Sequence, residues 1–211
     1  MVIGKQAEGS SPSTIKDMAI RAMLSVGNTD YDTVADIGAG RGELTQKIAE
    51  NSKTVLMLDD FDGSQASPKA KFIKTDLNAF WNVPDNSVDF AFSLEVIEHI
   101  ENPRHFMREI KRILKPGGYG FISTPNSLNI FSRLYFFFKY QHRWFQDFSY
   151  PAHISVLTET DFRRILNENT LQLIDFHYNY ADTLPLVEIP IRLKINTLSS
   201  SVGVLFKKQG A

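Results

Sequence analysis

Residues 34–44, VADIGAGRGEL, constrain this chain more than any other stretch. An apolar run ends at Ile37, then Gly38, Ala39, Gly40 and Gly42 follow, and a helical pattern begins. Glycine reaches backbone angles that other residues avoid and carries no Cβ. The chain can therefore turn sharply there and let another molecule lie against its main chain. A strand that feeds a helix through such a turn opens a βαβ crossover, and crossovers imply a parallel sheet covered on both faces.

The flanking sequence continues the alternation. Strands are predicted at 33–37, 54–58, 71–75, 88–93 and 119–124, with helices at 44–50 and 103–114. A first helix starts at Ser13, which can cap it, and carries Ile15, Met18, Ala19, Ala22, Met23 and Val26 at helical spacing before Gly27-Asn28 ends it. Asn102 at the cap and Pro103 at the first position sign the helix at 103–114, and Lys115-Pro116-Gly117-Gly118 stops it. VDFAFS (88–93) is mostly apolar, as burial on both faces requires. After Asn126 the pattern changes: ten of the 23 residues from Leu128 to Tyr150 are aromatic. Thr158, with Asp161 in capping-box register, then opens a helix at 159–168. Two strands follow near 171–180 and 202–207, with an apolar stretch between them. No repeat or linker divides the chain, so residues 1–211 read as one domain, with 1–30 as a lead-in and helix.

Composition removes several classes. The net charge is -1, which gives no global pull toward nucleic acid or an anionic membrane. There is no cysteine, which excludes disulfides, zinc-thiolate sites and thiol chemistry. The N-terminus lacks the apolar run of a secretion signal, and no segment approaches the ~18 apolar residues of a membrane span. The expectation is a soluble, cytoplasmic protein.

The glycine spacing is G-x-G-x-G, whereas a dinucleotide fingerprint is G-x-G-x-x-G, with a pyrophosphate on the helix N-terminus. Glu43 puts a carboxylate where that pyrophosphate would sit. The loop suits a nucleoside without phosphates and argues against a nicotinamide-dependent oxidoreductase. Asp59, 21 positions after Gly38, stands where a carboxylate accepts both ribose hydroxyls, and Asp60 beside it is the alternative partner. Asp76, at the end of the third strand, is placed to accept from an adenine amino group, and Leu77 to cover the ring. Singly, each aspartate can be a turn former. As an ordered set they fall at the carboxyl ends of successive strands, where open α/β sheets bind ligands.

VADIGAGRGEL, VLMLDD, TDLNAF, VPDNSVDFAFSLEVIEHIENP and FMREIKRILKPGGYGFISTPN together resemble the successive motifs of class I S-adenosylmethionine-dependent methyltransferases, from about residue 31 to 127. The resemblance implies a Rossmann-like, doubly wound α/β fold. Its sheet would have seven strands in the order 3-2-1-4-5-7-6, the last antiparallel, with helices on both faces. It also implies that Asp36, Gly38, Ala39, Gly40 and Gly42 cradle the methionine moiety of S-adenosylmethionine. Asp59 would hold the ribose, Asp76 the adenine, and Ser93 would flank the methyl donor. Residues 127–152 would form a substrate-covering insert. A methyltransferase-like scaffold that only binds a partner through the aromatic segment is the non-enzymatic alternative.

SLEVIEHI (93–100) places Glu95, Glu98 and His99 at i, i+3 and i+4, on one face if the stretch is helical. Such a face can hold a divalent cation, while acidic residues at a helix start also simply favour the dipole. The stretch is similar to the Glu-x-x-Glu-His of ubiquinone-biosynthesis O-methyltransferases and of the 2′-O-methyltransferases of small-RNA 3′ ends. By the latter likeness His153, nine residues before Phe162, completes a ligand set of Glu95, Glu98, His99 and His153 for Mg or Mn. Vicinal oxygens of an acceptor would then chelate the metal. Without metal, His153 becomes a general base or substrate contact beside Glu98 and His99, with His142 a weaker candidate.

In the aromatic segment Arg133, Lys139, His142 and Arg143 alternate with the rings. Three readings arise: a lid packed on the sheet, a pocket for an apolar acceptor, or a stacking platform for a single-stranded RNA end. The apolar run Leu134–Phe138 is too short to span a bilayer but can dip into an interface. The absence of a basic excess favours a small, glycan or lipid-linked acceptor over RNA.

Overall fold

The computed structural model describes residues 11–62, 66–179 and 196–210. The polar lead-in 1–10 and residues 180–195 of the apolar stretch before the last strand lie outside the described residues. Seven strands, β1 (Tyr31–Ile37), β2 (Ser52–Asp59), β3 (Ala70–Lys74), β4 (Val88–Leu94), β5 (Leu114–Pro125), β6 (Leu171–Tyr178) and β7 (Ser201–Lys208), form one sheet in the order β3-β2-β1-β4-β5-β7-β6. The five strands β1–β5 pair in parallel, and β7 is antiparallel to both β5 and β6. This is the topology the resemblance implied.

The sheet is doubly wound because each face has its own helices and its own core. On one face α1 (Ser13–Ser25) and α2 (Glu43–Ile48) bury Ile15, Met18, Met23, Leu44 and Ile48 against Val34, Val55, Phe90, Phe92 and Phe121. On the other, α3 (Pro103–Ile113) and α5 (Glu159–Glu168) bury Phe106, Ile110, Phe162 and Ile165 against Ala35, Ile37, Ala91, Ile122 and Val204. Neighbouring residues of one strand serve opposite cores, as the pleat requires. Removing this apolar surface from water, at about 25 cal/mol per Å², is the main favourable term.

Local signals were read correctly at two helices and incorrectly at a third. The Asn102 side chain accepts from the His105 N–H and Pro103 opens α3, while Thr158 and Asp161 form a complete capping box on α5. At α1 the helix already includes Ser13, and Pro12, which has no hydroxyl to offer, occupies the cap position. Lys115-Pro116-Gly117-Gly118 does end α3 but belongs to β5. Partners jump from Val88↔Leu114 to Phe90↔Tyr119, so these residues form a bulge, with Gly117 at φ +81°. The bulge is braced by Lys115 Nζ donating to Asp89 Oδ1 at 2.6 Å.

The aromatic insert contains a helix of its own, α4 (Ile130–Lys139). The Asn129 side chain accepts from the Ser132 N–H at its start, and Tyr140 in the left-handed conformation ends it. The chain then folds back: Tyr135 Oη donates to Gln146 Oε1 at 2.8 Å, and Gln146 Nε2 to the Arg143 carbonyl at 2.7 Å.

Candidate active site

The site lies at the carboxyl ends of β1, β2 and β4. Gly38 leaves β1 with φ +74° and donates its N–H to the Leu58 carbonyl at 2.8 Å. A Cβ at Gly38 would stand 2.3 Å from Val96 Cγ2, so only glycine lets the loop close on the segment after β4. Gly40, at φ +51°, has nothing among the described residues within 4 Å of where a Cβ would be, so this limb of the loop is open toward them. Asp59 ties β2 to the loop: Oδ2 accepts from the Gly40 N–H at 2.8 Å and Oδ1 from the Phe61 N–H at 3.1 Å. Asp60 is exposed, and the neighbouring Asp59 carboxylate raises its pKa.

Asp36 is almost fully buried beneath the loop and accepts from Thr45 Oγ1 at 2.6 Å. Burial pushes its carboxyl up to about 6 against the lowering effect of that hydrogen bond. Glu43, at the start of α2, forms an ion pair with Lys16 of α1. Asp76 is exposed and its Oδ1 accepts from the Asn78 N–H at 2.9 Å, while Leu77 packs half-buried against the core. Ser93 is fully buried, and its Oγ has no hydrogen-bond partner among the described residues.

After β4 the chain does not form an α-helix. Glu95 takes φ +55°, and a single 3-10 turn covers Ile97–His99. The three polar side chains that helical spacing would align therefore separate into two groups. Glu95 turns toward β5 and β7, where Ser123 Oγ donates to Oε1 at 2.7 Å and Ser201 Oγ to Oε2 at 3.2 Å. Burial pushes its carboxyl up to about 7 although the residue as a whole is half-buried.

Glu98 and His99 instead meet His153. Their candidate ligand atoms lie within 4.8 Å of one another, and Glu98 is 1% exposed. The segment carrying His153 is docked by the Glu98 carbonyl, which accepts from the N–H groups of Ile154 (2.9 Å) and Ser155 (3.0 Å). Both imidazoles have Nδ1 against a main-chain carbonyl: His99 on Ala152 at 2.7 Å and His153 on Trp144 at 2.6 Å. A carbonyl can only accept, so each Nδ1 carries a proton there, and the His99 ring also lies against the Glu95 main chain. Burial, and then Coulombic repulsion by Glu95, holds the Glu98 carboxyl well above its ordinary value, and Thr124 Oγ1 donates to it at 3.2 Å. Burial also lowers the pKa of His99, with His153 adding to the effect. Here, then, is one buried carboxyl group beside two imidazoles, a set that can accept a proton or ligate a cation.

Of the residues expected at the site, the structure gathers Glu98, His99 and His153, and it sets Glu95 apart from them. His142 packs among Phe136 and Phe145, with centroids 5.0 and 6.3 Å away. Sequence reasoning missed Ser123, Ser201 and Thr124 as holders of the glutamates, and Trp144 and Ala152 as holders of the imidazoles. Ser123 and Thr124 stand in the STPN stretch that carried part of the resemblance, whereas a carbonyl's role leaves no trace in residue type.

Comparison with known proteins agrees with the fold. A family described as a methyltransferase domain matches residues 16–175. The chain is 34% identical over 112 residues to the mitochondrial ubiquinone biosynthesis O-methyltransferase of Dictyostelium discoideum, covering 44% of this chain and 35% of that one. It is 36% identical over 103 residues to the biotin biosynthesis bifunctional protein BioHC of Cellvibrio japonicus, covering 45% of this chain and 20% of that one. The matches thus span about a third or less of these relatives. The fold is similar to N-methyltransferase NodS from Bradyrhizobium japonicum, solved with S-adenosyl-L-homocysteine, at TM-score 0.63 and 16% identity over 94% of this chain and 89% of that one. The strand order, the glycine loop braced by Asp59, and the match over residues 16–175 lead to one assignment: the chain belongs to the methyltransferase-domain family, of the class I S-adenosylmethionine-dependent type.

Proposed function

We propose that this chain transfers a methyl group from S-adenosylmethionine to a hydroxyl oxygen of a small, glycan or lipid-linked acceptor, with His153 as the proton acceptor. The observation that carries the reading is the pinned pair His99–His153, whose imidazoles lie beside buried Glu98. A hydroxyl must lose its proton on methylation, and a neutral imidazole is the side chain best matched to take it near pH 7. An amine acceptor has less need of such a base. The D. discoideum relative, named an O-methyltransferase, is compatible with this choice.

The residues fit the cofactor. Among the described residues nothing crowds Gly40, Asp59 offers carboxylate lone pairs for ribose hydroxyls, and Glu43 disfavours a phosphate at the helix start. The cofactor supplies a methyl group already activated as a sulfonium. The chain's own work is alignment: the loop and Asp59 hold one partner, and the wall after β4 holds the other within reach. Glu98 lies beside the imidazole pair that gains the hydroxyl proton.

A second reading is favoured by the same cluster. Glu98, His99 and His153 form a carboxylate–imidazole–imidazole set that can hold a divalent cation. Two imidazoles suit Mn more than Mg, which prefers oxygen ligands. Held there, such a cation supplies Lewis acidity that lowers the pKa of a coordinated hydroxyl. The ligand set would be these three residues, with Glu95 outside it.

The test has two parts. Calorimetry with S-adenosyl-L-homocysteine and with NAD checks the cofactor site, where binding of NAD alone refutes the reading. Transfer of labelled methyl is then measured to a panel of catechol, sugar and prenylated phenol hydroxyls, an amine, and an RNA 3′ end. Labelling of the amine with no hydroxyl labelled would overturn the O-directed choice.

A further inference from the structure

The outer face of the aromatic insert is not used by the site. Phe137 and Phe138 are each 70% exposed, Tyr140 87% and Phe148 79%. Beside them Phe131, Leu134, Tyr135, Phe138, Lys139 and Arg143 line an open, almost wholly apolar groove of about 420 Å³. A row of phenylalanines facing water is costly, since each gives up burial that the sheet's cores provide elsewhere.

The charge around this face is one-sided. Residues 130–148 contain Arg133, Lys139 and Arg143 against a single acidic residue, Asp147, in a chain whose net charge is -1. Among the described residues, none of these three cations takes part in a salt bridge, and Arg143 lies over the Trp144 ring at 5.0 Å. Exposed apolar rings flanked by cations on a short helix are the pattern of a segment lying in a membrane interface. There the rings enter the acyl boundary and the cations meet anionic headgroups.

We propose that α4 and the turn after it form a docking surface for an anionic membrane. Phe137 and Phe138 enter the interface, and Lys139 and Arg143 contact headgroup phosphates. The charge favours a membrane over a second copy of the chain docked face to face, which would set Arg133, Lys139 and Arg143 against the same cations. The largely carbon-lined groove favours lipid over RNA, which needs polar partners for its backbone along a track. The face is joined to the site from behind. Trp144, whose carbonyl holds His153, and Phe145, whose ring lies 5.5 Å from that of His153, belong to the same folded-back segment. The surface stands independently of the acceptor's identity.

The test is co-sedimentation of the full chain with phosphatidylcholine vesicles, with and without phosphatidylglycerol. The wild type is expected to sediment with the anionic vesicles and to be released by high salt. Phe137→Ser/Phe138→Ser and Lys139→Glu/Arg143→Glu should each lower the partition coefficient by about tenfold or more. Both variants should keep the wild-type melting temperature and affinity for S-adenosyl-L-homocysteine, which separates loss of docking from loss of fold. Failure of the wild type to bind anionic vesicles, equal binding to neutral vesicles, or undiminished binding by the phenylalanine variant would each overturn the proposal. So would capture of a single-stranded RNA oligonucleotide, or self-association lost in the phenylalanine variant, in place of vesicle binding.

Discussion

The rings of His99 and His153 stand 4.8 Å apart at 63°, although 53 positions of chain separate His99 from Ala152, whose carbonyl holds its Nδ1, and nine separate His153 from its own anchor, Trp144. One imidazole is fixed to the sheet through the turn after β4, and the other is fixed to the insert. The site is complete only when the insert is docked. His153→Ala should therefore lower kcat by about 10²- to 10⁴-fold, the usual worth of a positioned base. Affinity for S-adenosyl-L-homocysteine, measured by calorimetry, should stay unchanged, because the glycine loop and Asp59 lie apart from this pair. A matching loss of cofactor binding would mean that His153 supports the fold instead.

Separation of Glu95 from the other three residues makes the metal reading testable without turnover. Mn alone, at about 100 times its dissociation constant, stabilises a folded protein by roughly 2.7 kcal/mol, or about 5–10 °C in a domain of this size. Glu98→Ala, His99→Ala and His153→Ala should abolish that rise, and Glu95→Gln should keep it, since Ser123 and Ser201 already engage both Glu95 oxygens. A wild-type melting temperature that Mn does not move would leave His153 acting as a base without metal.

The difference between expected and observed geometry at these residues shows where local pattern stops being informative. A doubly wound parallel sheet was legible because strands alternate with helices across short turns, while its strand order was implied by the family resemblance; the helices at 103–113 and 159–168 were legible because their caps are local chemistry. The i, i+3, i+4 spacing of Glu95, Glu98 and His99 was a sound helical signal. It lost to contacts distant in sequence: Ser123 and Ser201 draw Glu95 across the sheet, and Val96 fills the space left by Gly38. Likewise, Pro12 rather than Ser13 at the cap of α1 is a one-residue shift that spacing alone does not resolve. What could be read from residue type was the list of polar groups at the strand ends. Which of them face one another depends on the packing of β5, β7 and the insert.

Asp36 gives the protein a pH dependence of definite sign. Its pKa rises from 3.8 unfolded to about 6 folded, because burial penalises the charged form. Between those values the folded state holds a proton that the unfolded state has released, so stability falls as pH rises through this window and levels off above about 6. The ionised residue costs up to about 3 kcal/mol at pH 8 by this reckoning. Asp36→Asn keeps an acceptor for the Thr45 hydroxyl and should flatten the slope of unfolding free energy between pH 4 and 6, measured by urea titration. It should also stabilise the protein at pH 8 by about 1–3 kcal/mol. A slope unchanged by the substitution would place the proton on another group.

The close join between β5 and β7 should be the least forgiving part of the sheet. In its antiparallel register Gly203 pairs with Ser123 and Gly120 with Phe206, and two aromatic rings lie over the glycines. A Cβ at Gly203 would stand 2.2 Å from Cζ of Phe121, and one at Gly120 would stand 2.3 Å from Cζ of Phe206. Both rings are fully buried, so neither can swing into solvent to make room. Gly203→Ala should then cost about 1–3 kcal/mol through forced rotamers and strand displacement. In thermal unfolding that is a fall of roughly 2–12 °C for a domain of this size. Phe121→Leu on its own leaves a cavity and also destabilises, yet it removes the ring atoms that the new methyl meets. The double variant should therefore be more stable than the sum of the two single losses, with a coupling of about 0.5–3 kcal/mol in a double-mutant cycle. Strict additivity of the two substitutions would show that the ring is not what excludes a side chain at position 203.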